Sequence, residues 1–472
     1  MGEQKQYDSK DLDELYYNFA QAVLAYMTRL AEAEGMPQTR RLRIQFNGAS
    51  VRSVLEEKDN YFWLLMRHMN EEVKMQEEVE KCARVHWMQG ILRYPKYLQE
   101  ANAGAPATFE QHRSTLFQQL FVPLQDALDH YETLELTREQ ILESYHQHRN
   151  EWMSPNSRYN VIIPLLNFTS EVQQQVPFGT QLQLAPFTPQ EKTEIWNEHG
   201  QLVYPFVINP IEFNAFHPVQ FKLSCIHHQD QDKPFGIQDI DDELIDLLTA
   251  LRLLKAGNIG APGAFARAHA RSIWLPSPVT MGTSDYGVQQ YGAEYNLSEA
   301  EIPTIKALYS DLQKLNRLKH RGGLAVALRR FNQAYSRGND EDKIIDLTIS
   351  LESCLLSESE ELTYRLSLRG AALLAKIWEP RKAQLLLKAM YATRSAIVHS
   401  GQQLSNLGKE PGKLLRNLGI QPHEFRQECE NMVRAILKTY VGQLASARGR
   451  SVEIVIKELD ELILQGLTLD KS

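Results

Sequence analysis

From Leu297 to Leu464 the chain repeats one pattern, apolar residues three and four apart on helix-length segments joined by short links. A segment of that kind can bury its stripe only against others like it, so the pattern predicts an antiparallel, up-and-down helical bundle. Ser298 and Glu301 form a capping box at its start, and Ile305, Leu308, Leu312 and Leu315 continue the stripe. Helices are predicted over 323–337, 340–356, 359–378, 381–400 and 422–445. Ile344, Leu347, Thr348, Leu351 and Leu355 carry the second, Leu386, Met390, Thr393 and Ile397 the fourth, and Phe425, Cys429, Met432, Val433, Ile436 and Tyr440 the fifth. A last helix, Val452 to Leu464, is expected to pack against them.

Residues 155–296 have a different texture. Tyr159–Phe168 and Gln181–Ala185 look like strands, the second by strict alternation, and Val203–Ile208 and Val219–Ile226 are two more. Thr188-Pro189-Gln190-Glu191 supplies a cap, a proline at the first helical position and a glutamate at the third. Leu244, Leu247, Leu248, Leu251 and Leu254 mark one apolar helix face closed by Gly257. This is a mixed α+β module. Residues 1–154 are mostly helical: Leu12–Ala33 stopped by Gly35-Met-Pro37, then Tyr61–Leu92, then a helix capped by Thr137 and Gln140. Arg41–Phe46 alternates as a strand would, and Ala101–Pro106 is a small-residue linker. The fold class expected is therefore α+β, mainly α, in three parts: 1–154, 155–296 and 297–472. A chain of 472 residues is too long for one ordinary core, which agrees.

Hydrophobic content of 43% with 23% charged residues belongs to a folded chain and excludes a disordered one. The N-terminus has no apolar signal core, and no stretch approaches the roughly 20 apolar residues of a membrane span. Cys82, Cys225, Cys354 and Cys429 are isolated, without zinc or redox spacing, so a reduced, cytoplasmic setting with no metal and no cofactor is expected. Cys225-Ile-His227-His228-Gln-Asp230 and His146-Gln-His148 hold ligand types without ligand spacing, and are read as surface or loop histidines. Gly257-Asn-Ile-Gly260 is a helix terminator, and neither a phosphate loop with its lysine nor a nucleophile elbow is present. A formal net charge of −8 argues against broad coating of nucleic acid but leaves room for a local basic groove. Lys314–Arg337, which contains Arg329 and Arg330, and Lys409–Arg450 could each supply one, or be solvated helix faces.

Chemistry concentrates in Tyr391–Gly401, where Arg394 and His399 stand five positions apart near a helix end. A fixed cation beside a group that moves protons near neutrality suits phosphate chemistry. The plainer reading has His399 relieving the helix dipole before Gly401 and Arg394 in a surface ion pair. Five residues are about 140° around a helix and about 7.5 Å along it, so one helix cannot easily aim both groups at one phosphate. Two such helices across a two-fold axis could pool them, so the spacing favours a homodimeric site if the pair is a site.

The succession Leu328–Ala334, Asp342–Leu356, Leu362–Leu374 with Leu368-Arg369-Gly-Ala-Ala, and Arg394-Ser-Ala-Ile-Val-His399-Ser-Gly resembles an Apea-like HEPN domain over about 120 residues. Weaker similarity reaches back to about residue 155; residues 1–150 carry none. The resemblance implies a dimeric helical bundle of a kind that often acts as a metal-independent ribonuclease in bacterial defence against phage and in toxin systems. It implies RNA as substrate, transfer RNA among the candidates, with an unknown trigger or regulator for the N-terminal part. Arg394 and His399, four residues between, match its signature. His399 would serve as general base or acid, Arg394 would hold the scissile phosphate, and Glu352 would orient one of them or pair with Arg369. Arg329, Arg330 and Ser395 are the RNA-contact candidates. Many active members carry Asn, Asp or His where Ser395 stands; some HEPN domains only bind or scaffold, which is the alternative function.

Overall fold

The computed structural model describes residues 7–47, 50–59, 61, 73–92, 108–154, 156–179, 181–191, 220–230, 238–261, 264–268, 275–277, 294–316, 322–357, 360–446 and 451–465. The fold is α+β and mainly α. The predicted strand at 203–208 and the linker at 101–106 lie outside the described residues.

Helix α1 (Ser9–Glu34) starts at a capping box between Asp8 and Asp11 and stops at Gly35, whose φ of 81° disfavours a side chain. Its stripe, Leu12, Leu15, Tyr16, Phe19, Val23, Leu24 and Met27, is buried against α2 (Val73–Met88) and α4 (Arg138–Met153). Between α2 and α4 lies α3 (Phe109–Tyr131), and α4 begins at the predicted Thr137–Gln140 box. Strands β1 (Gln38–Asn47) and β2 (Ser50–Asp59) make a separate antiparallel ribbon. The apolar side chains of these helices form one core confined to residues 12–145.

The second part is built on a six-stranded antiparallel sheet. Its strands are β3 (Asn156–Pro164), β5 (Val176–Phe178), β6 (Leu182–Pro186), β7 (Phe221–Asp230), β8 (Ala264–Ala268) and β9 (Leu275–Ser277), in the order β5-β6-β7-β3-β8-β9. Alternation along β3 sends Val161 and Ile163 into the main core with Leu223 and Cys225, while Ile162 packs with Phe265 and Phe187 apart from it. Helix α5 (Gln238–Leu254) covers the main face with the predicted stripe, Leu244, Leu247, Leu248 and Leu251 all buried. A short parallel pair, β4 (Phe168–Ser170) with β10 (Tyr295–Leu297), ties the module to the helices that follow. Gly257 has φ of 151°, and a Cβ there would sit 2.7 Å from the Tyr295 ring, so glycine is required for this closure.

The helices after it are α6 (Ile302–Asn316), α7 (Gly322–Ser336), α8 (Asp340–Leu355), α9 (Leu362–Leu373), α10 (Pro380–Ser400), α11 (Lys409–Leu418), α12 (Pro422–Ser446) and α13 (Val452–Leu464). Neighbours in sequence pack in pairs, α7 on α8, α9 on α10 and α10 on α11, and α12 runs through the middle against α6, α8 and α5. Its residues Phe425, Cys429, Met432, Val433, Ile436 and Tyr440 are fully buried. One continuous apolar core runs from Val161 on the sheet to Leu459 on α13. Polar groups stitch the same seam: buried Arg252 on α5 donates to Asn332 Oδ1 on α7 at 2.9 Å, and Asn332 donates to Thr249 Oγ1 at 2.7 Å. From α12, Arg434 Nε donates to the Arg252 carbonyl at 2.7 Å. All four cysteines are buried and free. No described helix is long and apolar enough to cross a membrane.

Candidate functional site

Helix α10 owes its length to its two ends. Glu379 accepts from the backbone of Arg381 at 3.0 Å and Lys382 at 2.6 Å, Pro380 occupies the first turn, and Gly401 closes the helix at φ 61°. Ala383, Leu386, Leu387, Met390 and Thr393 face the core, which fixes the rotation of the helix and hence of the next residue, Arg394. Helix α8, capped by Asn339 on the Asp342 amide at 2.7 Å, packs alongside and presents Glu352.

These two residues meet. Arg394 Nε lies 4.0 Å from Glu352 Oε1, with both side chains about three-quarters buried. Burial pushes the Glu352 carboxyl above the usual range, and the Arg394 guanidinium pulls partly against it. Arg394 Nε is shut off from solvent and makes no hydrogen bond to any described residue. The exposed quarter of the side chain, not Nε, is what an acceptor from outside the chain meets.

His399 stands on the last turn of α10 and is exposed; no described contact joins it to Arg394 or Glu352. Ser395 is half-buried on the same helix. Arg329 is exposed on α7. Its neighbour Arg330 donates to Asp346 Oδ1 at 3.0 Å, and Arg337 donates to the other oxygen at 2.6 Å, so buried Asp346 occupies two cations of the first basic segment. Arg369, the alternative partner for Glu352, is instead bidentate to Asp460 of α13 at 2.7 Å through both Nε and Nη2, and donates to the Leu355 carbonyl at 2.8 Å. It is a structural cation. Asp346 lies 16 and 9 positions from the two arginines it holds and Asp460 lies 91 from Arg369, spacings that no helical period links.

The histidines of 146–148 need a correction. His148 is buried on α4, with Nε2 2.8 Å from Asp126 Oδ2, and His146 stands 2.9 Å from Asp13, because α4 packs that face into the N-terminal core. Neither pair gathers further ligand types, and no group of three or more metal-ligating residues occurs among the described residues.

The arrangement offers a half-buried arginine beside a carboxylate, and an exposed histidine on the same helix. Comparison with protein families, with curated proteins and with solved structures finds no match to this chain.

Proposed function

We propose that the C-terminal helices form a HEPN-type RNA endonuclease acting as a homodimer, with the preceding parts restraining the nuclease or selecting its RNA in a defence setting. The observation that carries this reading is the Arg394–Glu352 approach at 4.0 Å on the helix whose exposed last turn holds His399. Arg394 would bind the scissile phosphate and offset charge growing on its non-bridging oxygens. His399 would take the proton of the ribose 2′-hydroxyl, whose oxygen attacks phosphorus, and a protonated histidine, from the partner copy in a two-fold site, would donate to the departing 5′-oxygen. One P–O bond forms and one breaks, leaving a 2′,3′-cyclic phosphate and a 5′-hydroxyl. DNA, which lacks the attacking hydroxyl, would not be cut.

The test is cleavage of total and transfer RNA by the full chain and by Arg394→Ala and His399→Ala, with and without EDTA. The expected outcome is cleavage indifferent to EDTA and reduced about a hundredfold or more by either substitution. Equal cleavage by His399→Ala would sink the mechanism. No cleavage by any form, with a dimer still present, would favour a catalytically silent binding module, a role compatible with Ser395 after the arginine.

A further inference from the structure

Helix α11 packs against α10, the helix that holds Arg394 and His399. Its inward face is apolar: Pro411 and Leu415 are buried, and Leu414 and Leu418 pack on the core. Its outward face carries Lys409, Lys413 and Arg416, all exposed and with no ion pair among the described residues. At about 100° and 1.5 Å per residue these three fall within about 60° of arc, spread over about 10 Å of helix. Glu410 is the acidic residue on this helix, and it sits about 100° around from Lys409. Other cations of the two basic segments are occupied differently: Arg330 and Arg337 by Asp346, Arg426 and Arg434 by Glu430.

We infer that the Lys409–Lys413–Arg416 stripe of α11 is a phosphate-tracking surface that guides single-stranded RNA along α10 to His399. The inference rests on the ribonuclease reading and names its substrate path. A stripe of that length spans two or three phosphates of one strand, and unpaired cations on a polyanion's path are worth more than neutralised ones. A membrane surface is a poorer occupant, since an interfacial helix turns its apolar face outward and this one spends that face on the core.

The experiment uses the full chain carrying His399→Ala and a fluorescein-labelled single-stranded RNA of about 15 nucleotides, a length within single-strand site sizes. Affinity is measured by anisotropy against salt, with and without the triple change Lys409→Gln, Lys413→Gln, Arg416→Gln. All three residues are exposed, and an unchanged melting curve checks the fold. The expected result is an affinity loss of about tenfold or more and a log–log salt slope shallower by about 2, near 0.7 per lost phosphate contact. An unchanged slope, or no binding by either form, overturns the inference. Cleavage by the wild-type chain with an unchanged slope defeats the stripe alone. Stripe-dependent binding without cleavage by the wild-type chain defeats the nuclease reading alone. Equal affinity for a phosphatidylserine vesicle, lost in the triple variant, would make the surface a lipid site and overturn the RNA assignment.

Discussion

Glu352 Oε1 and Arg394 Nε stand 4.0 Å apart across the α8–α10 seam, close enough to attract and too far to hydrogen-bond. Glu352 therefore positions Arg394 without using up its donors. The positioning form is the carboxylate, and burial raises the pH at which that form appears. On the proposed ribonuclease reading, RNA cleavage should fall on the acid side above the usual carboxylate range, and Glu352→Gln should remove that limb while lowering the neutral rate about tenfold. Stability has the opposite sign: a raised carboxyl pKa means the folded state holds its proton more tightly, so Glu352 costs stability as pH rises through that pKa. Glu352→Gln should then melt slightly higher at neutral pH and match wild type in acid. A pH–rate profile with parallel melts reads both, and an unshifted acid limb would remove Glu352 from the site.

Gly323 sits where α7 passes directly against the backbone of α8. A Cβ there would lie 1.6 Å from the Ser353 carbonyl oxygen, a backbone atom that moves only if α8 moves. Gly323→Ala should cost about 3 kcal/mol and, because Ser353 follows Glu352, should also displace the carboxylate from Arg394. Denaturant melts and the cleavage assay should fall together; a variant of full stability would mean the helices part freely.

Much of this was legible locally. The stripe of α8 was predicted at 340–356 and runs Asp340–Leu355, α13 matches Val452–Leu464, and the Thr137, Thr188 and Ser298 capping boxes all form. Such features depend on residues three or four apart, which the sequence displays directly. Helix α11 is not among the helices expected from the sequence; it is ten residues long and holds Pro411 and Gly412. In its first turn, though, proline gives up an amide that has no helical partner anyway. The site was legible only in part: Arg394 and His399 share one helix, and the resemblance offered Glu352 to Arg394, His399 or Arg369, whereas the pairing of Arg369 with Asp460 spans elements that neither periodicity nor resemblance connects.

Arg369 is 1% exposed and depends on Asp460 for both of its bidentate bonds. Asp460→Ala would strip a buried guanidinium of both its carboxylate bonds, at a cost of about 3 kcal/mol, the low end for a broken buried pair because Asp460 itself is partly hydrated. The double change Arg369→Met, Asp460→Leu should recover most of that loss, since it removes the stranded charge as well. Urea midpoints of the three proteins check the order; equal midpoints would show that α13 contributes nothing through this pair.

Residues 12–145 form their own core, so a calorimetric trace of the chain should hold a transition that Asp460→Ala leaves in place. Its pH dependence follows from His86. The ring is fully buried, with Nδ1 2.8 Å from the Cys82 carbonyl and Nε2 2.6 Å from the Tyr145 hydroxyl. A neutral ring satisfies both, Nδ1–H donating to the carbonyl and Nε2 accepting from tyrosine. Burial penalises a second proton and holds the pKa down at about 4 from an ordinary 6.5. The unfolded chain thus binds this proton first as pH drops. The stabilising effect is complete above about 6.5 and is lost progressively towards about 4. The N-terminal transition should move to lower temperature across that window and stay level above it. His86→Gln should start lower at neutral pH, having lost the fitted ring, yet flatten the window, because it has no proton to gain. A transition equally steep in both proteins would assign the acid sensitivity to another group.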